Sequence, residues 1–167
     1  MTEKIYRSYL EIKSLGELKK IKKPSENYFI ELADPKDFQL NKFFYKNIGK
    51  NCQWTDRLIW TDLNWIDYIS NDQLFTHILK DKNEIAGYFE VLFNKQSKEA
   101  EIAYFGILEE YYGKKLGGYL LSEAIKSSFN LGSERVWVHT CSLDHKNALL
   151  NYQSRGMKIF KSETLIR

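Results

Sequence analysis

A glycine-rich segment between a predicted strand and a predicted helix carries the strongest chemical signal. It reads Glu109-Glu110-Tyr111-Tyr112-Gly113-Lys114-Lys115-Leu116-Gly117-Gly118. Glycines let the backbone approach a ligand closely, and the N–H groups in the first turn of a helix lack intrahelical acceptors and favour an anion. Lys114 and Lys115 stand at the positive end of the helix dipole, where a bound anion would offset their repulsion. The competing interpretation is that both lysines pair with Glu109 and Glu110 or extend into solvent, because the spacing matches neither the Walker nor the dinucleotide-binding pattern.

A second segment, residues 144–157, has the spacing of a short helix. Asp144 is a typical helix-capping residue and predicts where this helix begins. His145, Ala148 and Tyr152 follow at intervals of three and four residues, so they share one face of the helix. The interpretation that competes with any chemical role for Tyr152 is packing in the core.

A cluster of tryptophans and one arginine lies in the first half of the chain. Trp54, Arg57, Trp60 and Trp65 fall within twelve positions. An arginine between tryptophans could bind a carboxylate or a phosphate of a substrate. The tryptophans could equally cover the face of a sheet.

These segments belong to an order of strands and helices that predicts a mixed α/β fold. Alternating apolar residues predict strands over 5–12, 28–32, 74–79, 85–93, 100–108, 135–141 and 158–166. Helical spacing predicts helices over 37–49, 64–71, 113–131 and 145–155. Gly49 and Gly132 are predicted to end two of these helices.

Composition and charge exclude several classes of protein. Of 167 residues, 43% are apolar and 28% charged, as in globular domains and unlike disordered chains. The net charge of +3 is too small to indicate binding to nucleic acid or a membrane, and the basic run 18–23 is expected to be solvated and mobile. Cys52 and Cys141 form neither a disulfide framework nor a metal-ligand pattern, so a cytoplasmic location and no metal are expected.

The glycine-rich segment resembles the cofactor loop of the GCN5-related N-acetyltransferase (GNAT) superfamily, and the resemblance extends over about residues 75–160. The family pattern, Gln/Arg-x-x-Gly-x-Gly/Ala, falls on Tyr112, Lys115 and Gly117, of which only Gly117 matches. The resemblance implies an α/β fold with a GNAT-like mixed, mostly antiparallel sheet flanked by helices. It implies one domain over 1–167, with an acceptor-binding half over about 26–73 and a cofactor-binding half over about 74–160.

The segment 144–157 resembles the second motif of the same superfamily, Asn-x-x-Ala-x-x-x-Tyr-x-x-x-Gly-Phe. Ala148, Tyr152 and Gly156 match this motif, whereas His145 and Met157 replace its Asn and Phe. Residues 137–145 look especially similar to a largely uncharacterised bacterial subset of the superfamily.

The resemblance implies which residues bind acetyl-CoA, the acyl-donor substrate. The family's loop amides hold the pyrophosphate, and the end of the strand before the loop pairs with the pantetheine arm, where amides near Gly106 and Leu108 would polarise the thioester carbonyl. The implied cofactor-binding residues are Gly106, Ile107, Leu108, Tyr112, Gly113, Lys114, Lys115, Leu116, Gly117, Gly118, His145 and Ala148.

The resemblance also implies catalytic residues. Tyr152 would be the general acid near the sulfur of CoA. Glu101 stands where histone acetyltransferases of the superfamily carry a catalytic glutamate, and a base is needed because only a neutral amine is nucleophilic. His139, whose charge changes near neutral pH, is a rival base, and water is a third alternative. Cys141 could be an acyl-enzyme nucleophile, although direct transfer is the family norm.

The function implied is transfer of an acetyl group to a primary amine of a small molecule or peptide. Trp54, Arg57 and Tyr104 are the candidate acceptor-binding residues. The alternatives are a non-catalytic acyl-CoA-binding or regulatory module, favoured by Tyr112 and Lys115, and a protein-interaction domain that uses the tryptophan cluster. A monomer and a homodimer through the last strand are both compatible with the sequence.

Overall fold

The computed structural model describes residues 2–166, which form a seven-stranded sheet and four helices. The strands are β1 (Lys4–Ile12), β2 (Tyr28–Leu32), β3 (Leu74–Asp81), β4 (Glu84–Asn94), β5 (Glu99–Ile107), β6 (Arg135–Cys141) and β7 (Lys158–Ile166). The helices are α1 (Phe38–Cys52), α2 (Asp62–Ile69), α3 (Leu116–Asn130) and α4 (Ala148–Ser154). These elements confirm the predicted α/β class and every predicted strand and helix to within a few residues.

The strand order is β2-β3-β4-β5-β6-β1-β7, and only β5 and β6 are parallel neighbours. The mixed, mostly antiparallel sheet expected from the resemblance is therefore confirmed. The N-terminal strand β1 lies between β6 and β7 and is antiparallel to both.

The pairing of β5 with β6 is short, and this creates an opening in the sheet. The two strands pair only from Glu99↔Arg135 to Glu101↔Trp137. Beyond Glu101, β5 continues to Ile107 and β6 to Cys141 without pairing to each other, so the strands diverge and leave a wedge-shaped gap.

Helices α1 and α3 flank this gap. Helix α3 packs against β4, β5 and β6. Helix α1 contacts the sheet through Phe44, whose ring stacks on Tyr88 at 4.7 Å, and through Ile48. A Cβ atom on Gly106 would lie 2.5 Å from the Ile48 side chain, so glycine is needed for this close packing.

Two helix ends differ from the prediction. Helix α3 begins at Leu116 and not at 113, because Lys115 has a left-handed backbone conformation (φ 62°) that a helix cannot continue through. Helix α1 continues past Gly49 to Cys52, since Gly49 is packed against Trp54 and does not end the helix.

The prediction that Asp144 caps the last helix is wrong. Its carboxylate accepts hydrogen bonds from the Thr140 hydroxyl (2.5 Å) and the Cys141 N–H (3.1 Å). Helix α4 instead begins at Ala148 after Asn147. Asp144 therefore closes the turn after β6 and fixes the loop that leads to α4.

Candidate active site

A cleft of about 820 Å³ occupies the gap between the diverging ends of β5 and β6. Its walls come from the loops after α1 and β5, from the end of β6 and from α4. Most of the residues predicted to form the site line it: Trp54, Tyr104, Gly106, Ile107, Tyr112, Gly113, Lys115, Leu116, Gly117, Gly118, His139, His145, Ala148 and Tyr152. Arg57, Glu101, Leu108 and Lys114 do not line it.

The loop before α3 presents a series of free N–H groups to the cleft. Within residues 2–166, the amides of 113–118 donate no hydrogen bond to backbone or side chain, and no side chain caps α3. Gly113 has a φ of 77°, and a Cβ added there would have no atom within 4 Å, while at Gly117 the nearest atom would be the Asn151 amide nitrogen at 3.6 Å. The first turn of α3 therefore presents unpaired N–H groups, an arrangement that favours an anion.

The edge of β5 that faces the gap offers further backbone groups. The Leu108 N–H donates to the Ala86 carbonyl at 2.8 Å, so this amide is not free for a ligand, contrary to the expectation for Leu108. Because alternate residues of an antiparallel strand bond to the same neighbour, the N–H groups of Phe105 and Ile107 point toward the gap. Gly106 pairs with Tyr88 of β4, and its missing side chain leaves room for Ile48. Its backbone groups therefore face β4 and not the gap.

Tyr152 lies on the cleft wall formed by α4 and is itself buried. Burial raises the pKa of its hydroxyl above the usual value, and the nearby Asp144 and Cys52 raise it further. The phenol therefore stays protonated at neutral pH, which is the state required of a proton donor.

The two candidate bases are placed differently. His139 lines the cleft on β6 with an exposed side chain, and the cleft walls remove enough water to lower its pKa, which Arg7 lowers further. Its imidazole is thus neutral at pH 7 and can accept a proton. Glu101 lies at the last rung of the β5–β6 pairing, outside the cleft lining, and burial raises its pKa although Arg57 partly offsets this.

Arg57 is engaged inside the protein. Its Nη1 lies 3.2 Å from Oε1 of Glu90, which is 0% exposed, and Arg57 itself is 7% exposed. Burial alone would lower the pKa of Arg57, but the Glu90 carboxylate holds it above its usual value. Five aromatic rings surround the guanidinium with centroids 4.1–5.7 Å from Cζ: Tyr45, Trp60, Trp65, Tyr68 and Tyr104. Arg57 therefore anchors its loop to the sheet and does not line the cleft.

The loop that Arg57 anchors forms part of the cleft wall. Trp54, Thr55 and Asp56 precede Arg57 and line the cleft, and the Trp54 ring meets the Tyr104 ring edge-on at 4.7 Å. Tyr104 thus has one face toward Arg57 and contributes to the cleft wall. The sequence did not single out Asp56, the exposed carboxylate on this wall.

Two further cleft residues were missed, although the helical spacing that singled out Tyr152 could have found them. Asn151 donates from its side chain to the Gly117 carbonyl at 3.1 Å, and Arg155 follows directly after α4, at the cleft wall. Lys114, by contrast, lies away from the cleft with its ammonium 5.3 Å from the Tyr111 ring centroid.

The cysteines line the cleft as free thiols. Burial raises the pKa of both Cys52 and Cys141, so neither thiol is activated at neutral pH. Among residues 2–166 there is no cluster of three or more potential metal ligands.

The family model described as the acetyltransferase (GNAT) family matches residues 38–157. The chain belongs to the GNAT acetyltransferase family. The matched residues include the loop 113–118, α3, β6 and α4. They do not include β1 or the segment that follows it.

Solved structures with the same fold include other GNAT proteins. One from Sphaerobacter thermophilus is 14% identical with a TM-score of 0.74, covering 97% of this chain and 50% of that one. A functionally unknown protein from Staphylococcus epidermidis is 14% identical with a TM-score of 0.64, covering 99% and 62%. An aminoglycoside acetyltransferase from an uncultured soil metagenomic sample is 17% identical with a TM-score of 0.64, covering 80% and 90%.

The GNAT protein described here spans about half to two thirds of the length of the first two of these structures. Its sequence has no match among curated proteins. Within residues 2–166, none of the helices has the length and apolarity needed to cross a bilayer.

Proposed function

We propose that this GNAT protein transfers an acetyl group from acetyl-CoA to a primary amine by direct attack. The observation that carries the proposal is a single cleft that combines an uncapped helix start, an open strand edge and a protonated tyrosine. An acyl-CoA needs these three groups, because it has phosphates at one end, amides in the middle and a thioester at the other.

The loop amides of 113–118 would bind the phosphates, and the free edge of β5 at Phe105 and Ile107 would pair with the pantetheine amides. The thioester brings the acetyl group and a thiolate leaving group to the reaction. In this arrangement Tyr152 holds its proton on Oη and donates it toward the leaving sulfur. The cleft walls bring the two substrates together, and this proximity supplies much of the acceleration.

His139 is the base that the structure supports over Glu101. The imidazole lies in the cleft in its neutral form, whereas the Glu101 carboxylate lies outside the lining. His139 accepts the proton that the acceptor ammonium must lose before its nitrogen can attack the carbonyl carbon. Asp56, which lines the cleft next to Arg57, would offer a negative charge for a cationic acceptor.

The chief alternative is a module that binds acyl-CoA without transferring its acyl group. It is favoured by Lys115, which stands in a left-handed conformation where the family loop has glycine. The interaction-domain alternative has less support, because Trp65 is 1% exposed and the other tryptophans of the cluster are half-buried.

Two measurements test the proposal in sequence. Acetyl-CoA at millimolar concentration should raise the Tm of the protein, and free thiol should then appear when a panel of primary amines is supplied. Tyr152→Phe should retain the Tm shift and lose about 10²–10⁴-fold in turnover. The matched control is Tyr119→Phe, a buried tyrosine of α3 outside the cleft lining, which should keep full turnover. A Tm shift without thiol release for any amine would favour the non-catalytic module.

A further inference from the structure

Arg155 is an arginine at the cleft wall without an acidic partner. Within residues 2–166 its side chain makes no ion pair and no hydrogen bond, and its Nε is buried without an acceptor. Arginines in such settings are normally paired. Arg155 therefore has donors to offer to a group that is not part of the chain.

The position of this guanidinium is set by a glycine. A Cβ on Gly118 would collide with Nη1 of Arg155, so the guanidinium lies directly on the first turn of α3. The uncapped N–H groups of that turn carry partial positive charge. Two like charges at one place are unfavourable unless an anion lies between or beside them, and burial without a carboxylate also lowers the pKa of Arg155.

The basic segment after β1 packs against the same place, where the Ile21 side chain is also close to Gly118. We call residues 13–27 the strap. The Lys19 N–H donates to the Arg155 carbonyl at 2.9 Å, and the Ile21 N–H donates to Oγ of Ser122 in α3 at 2.9 Å. The strap thus holds the end of α4 against α3.

The basic run of the strap was expected to be a mobile segment, but these hydrogen bonds seat it beside the cleft. Lys20 and Lys22 are exposed and form no ion pair within the described residues. The strap lies outside the residues 38–157 that the family model matches.

We propose that Arg155, supported by the strap, binds a phosphoryl group of the acyl-CoA. The proposal rests on the proposed use of acetyl-CoA and adds a ligand-binding residue to it. CoA offers two sources of this chemistry, the pyrophosphate and the 3′-phosphate. The guanidinium would donate charge-assisted hydrogen bonds to phosphate oxygens, and Lys20 and Lys22 would act on the same anion over a longer range.

Binding of three donors of decreasing phosphate content tests this assignment: acetyl-CoA, acetyl-dephospho-CoA, which lacks the 3′-phosphate, and S-acetylpantetheine, which has no phosphate. Arg155→Met should weaken acetyl-CoA binding by about tenfold to 100-fold and leave S-acetylpantetheine binding unchanged. If the loss persists with acetyl-dephospho-CoA, the pyrophosphate is the ligand, and if it disappears, the 3′-phosphate is.

A second variant avoids any dependence on the folding of Arg155→Met. Lys20→Gln/Lys22→Gln changes only exposed side chains and should weaken acetyl-CoA binding by about twofold to tenfold, with less loss at high salt. Lys126→Met, an exposed charge later on α3, is the control and should bind all three donors like the parent protein.

The proposal is overturned if Arg155→Met weakens all three donors equally, since the residue would then act only through the fold. It is also overturned if neither variant discriminates acetyl-CoA from S-acetylpantetheine. If the parent protein binds CoA in this way but transfers no acetyl group, the transferase function fails while the assignment of Arg155 stands.

Discussion

Substituting Arg57 by Met would leave the Glu90 carboxylate without its counter-charge where solvent does not reach. The two groups lie 3.2 Å apart, with Glu90 0% and Arg57 7% exposed. Removing one partner of a buried pair costs about 3–5 kcal/mol of unfolding free energy, because the other charge remains buried. Asn41 and Tyr68 still donate hydrogen bonds to Glu90 at 2.8 and 2.6 Å, so we expect the lower part of this range, about 3–4 kcal/mol.

The double variant separates the charge from the packing. Arg57→Met/Glu90→Leu removes both charges, and only the donors of Asn41 and Tyr68 lose an acceptor. Its cost should therefore be smaller than the sum of the two single costs by about 2 kcal/mol or more. This difference is the coupling free energy between Arg57 and Glu90, and it measures how much the ion pair contributes to stability.

Urea unfolding at pH 7 of the parent protein, both single variants and the double variant gives the four free energies. For a chain of this size, Arg57→Met should lower the Tm by about 6–16 °C. Lys42→Met is the control, since the Lys42–Asp62 pair lies at the surface and should contribute no more than about 1 kcal/mol. The reasoning is refuted if Arg57→Met costs no more than Lys42→Met, or if the two single costs add.

Three further predictions concern the cleft and the sheet. If His139 is the base, His139→Gln should remove the acidic limb of the pH–rate profile, whereas Glu101→Gln should keep this limb. The limb is expected below pH 6.5 because the pKa of His139 is lowered. Loss of the limb in Glu101→Gln and not in His139→Gln would make Glu101 the base. Gly117→Ala should fold normally and keep the Kd for acetyl-CoA, because its Cβ would meet only the Asn151 amide nitrogen at 3.6 Å and the family pattern accepts alanine here. Gly117→Phe should raise the Kd by covering the loop amides, and equal affinities of the two variants in titration calorimetry would contradict the assigned phosphate site. His77 stacks on Phe89, and burial lowers its pKa to about 4. Below pH 6.5 the unfolded chain therefore takes up a proton that the folded chain does not, and the free energy of unfolding should fall as the pH drops from 6.5 toward 4, by at most about 1.4 kcal/mol per pH unit. His77→Phe should reduce this slope in urea titrations.

Local patterns were sufficient for the helices and strands and for the segments that form the glycine-rich side of the cleft. Alternation and helical spacing depend on neighbours within a few residues, so β2, β6 and β7 were predicted with the bounds that the structure has. The glycine loop and the helix face with Tyr152 are also local. Their meeting in one cleft followed from the resemblance, which carries the tertiary information of a whole family.

Long-range contacts decided the rest. Arg57 lies between tryptophans in the sequence, which is typical of an anion-binding residue. In the structure its guanidinium pairs with Glu90, which is 33 positions away in the chain. The Leu108 N–H is engaged only because the pairing of β5 with β4 brings the Ala86 carbonyl within hydrogen-bond distance, and no local pattern around Leu108 indicates this.

The sequence alone therefore determined which segments form strands and helices, and that the glycine-rich loop and the segment with Tyr152 are the candidate site segments. Only the tertiary structure decided that β1 enters the sheet between β6 and β7, and that the strap then crosses the start of α3 beside Arg155. The physical reason is that strand order and the pairing of buried charges depend on free energies summed over distant contacts, which no local spacing records.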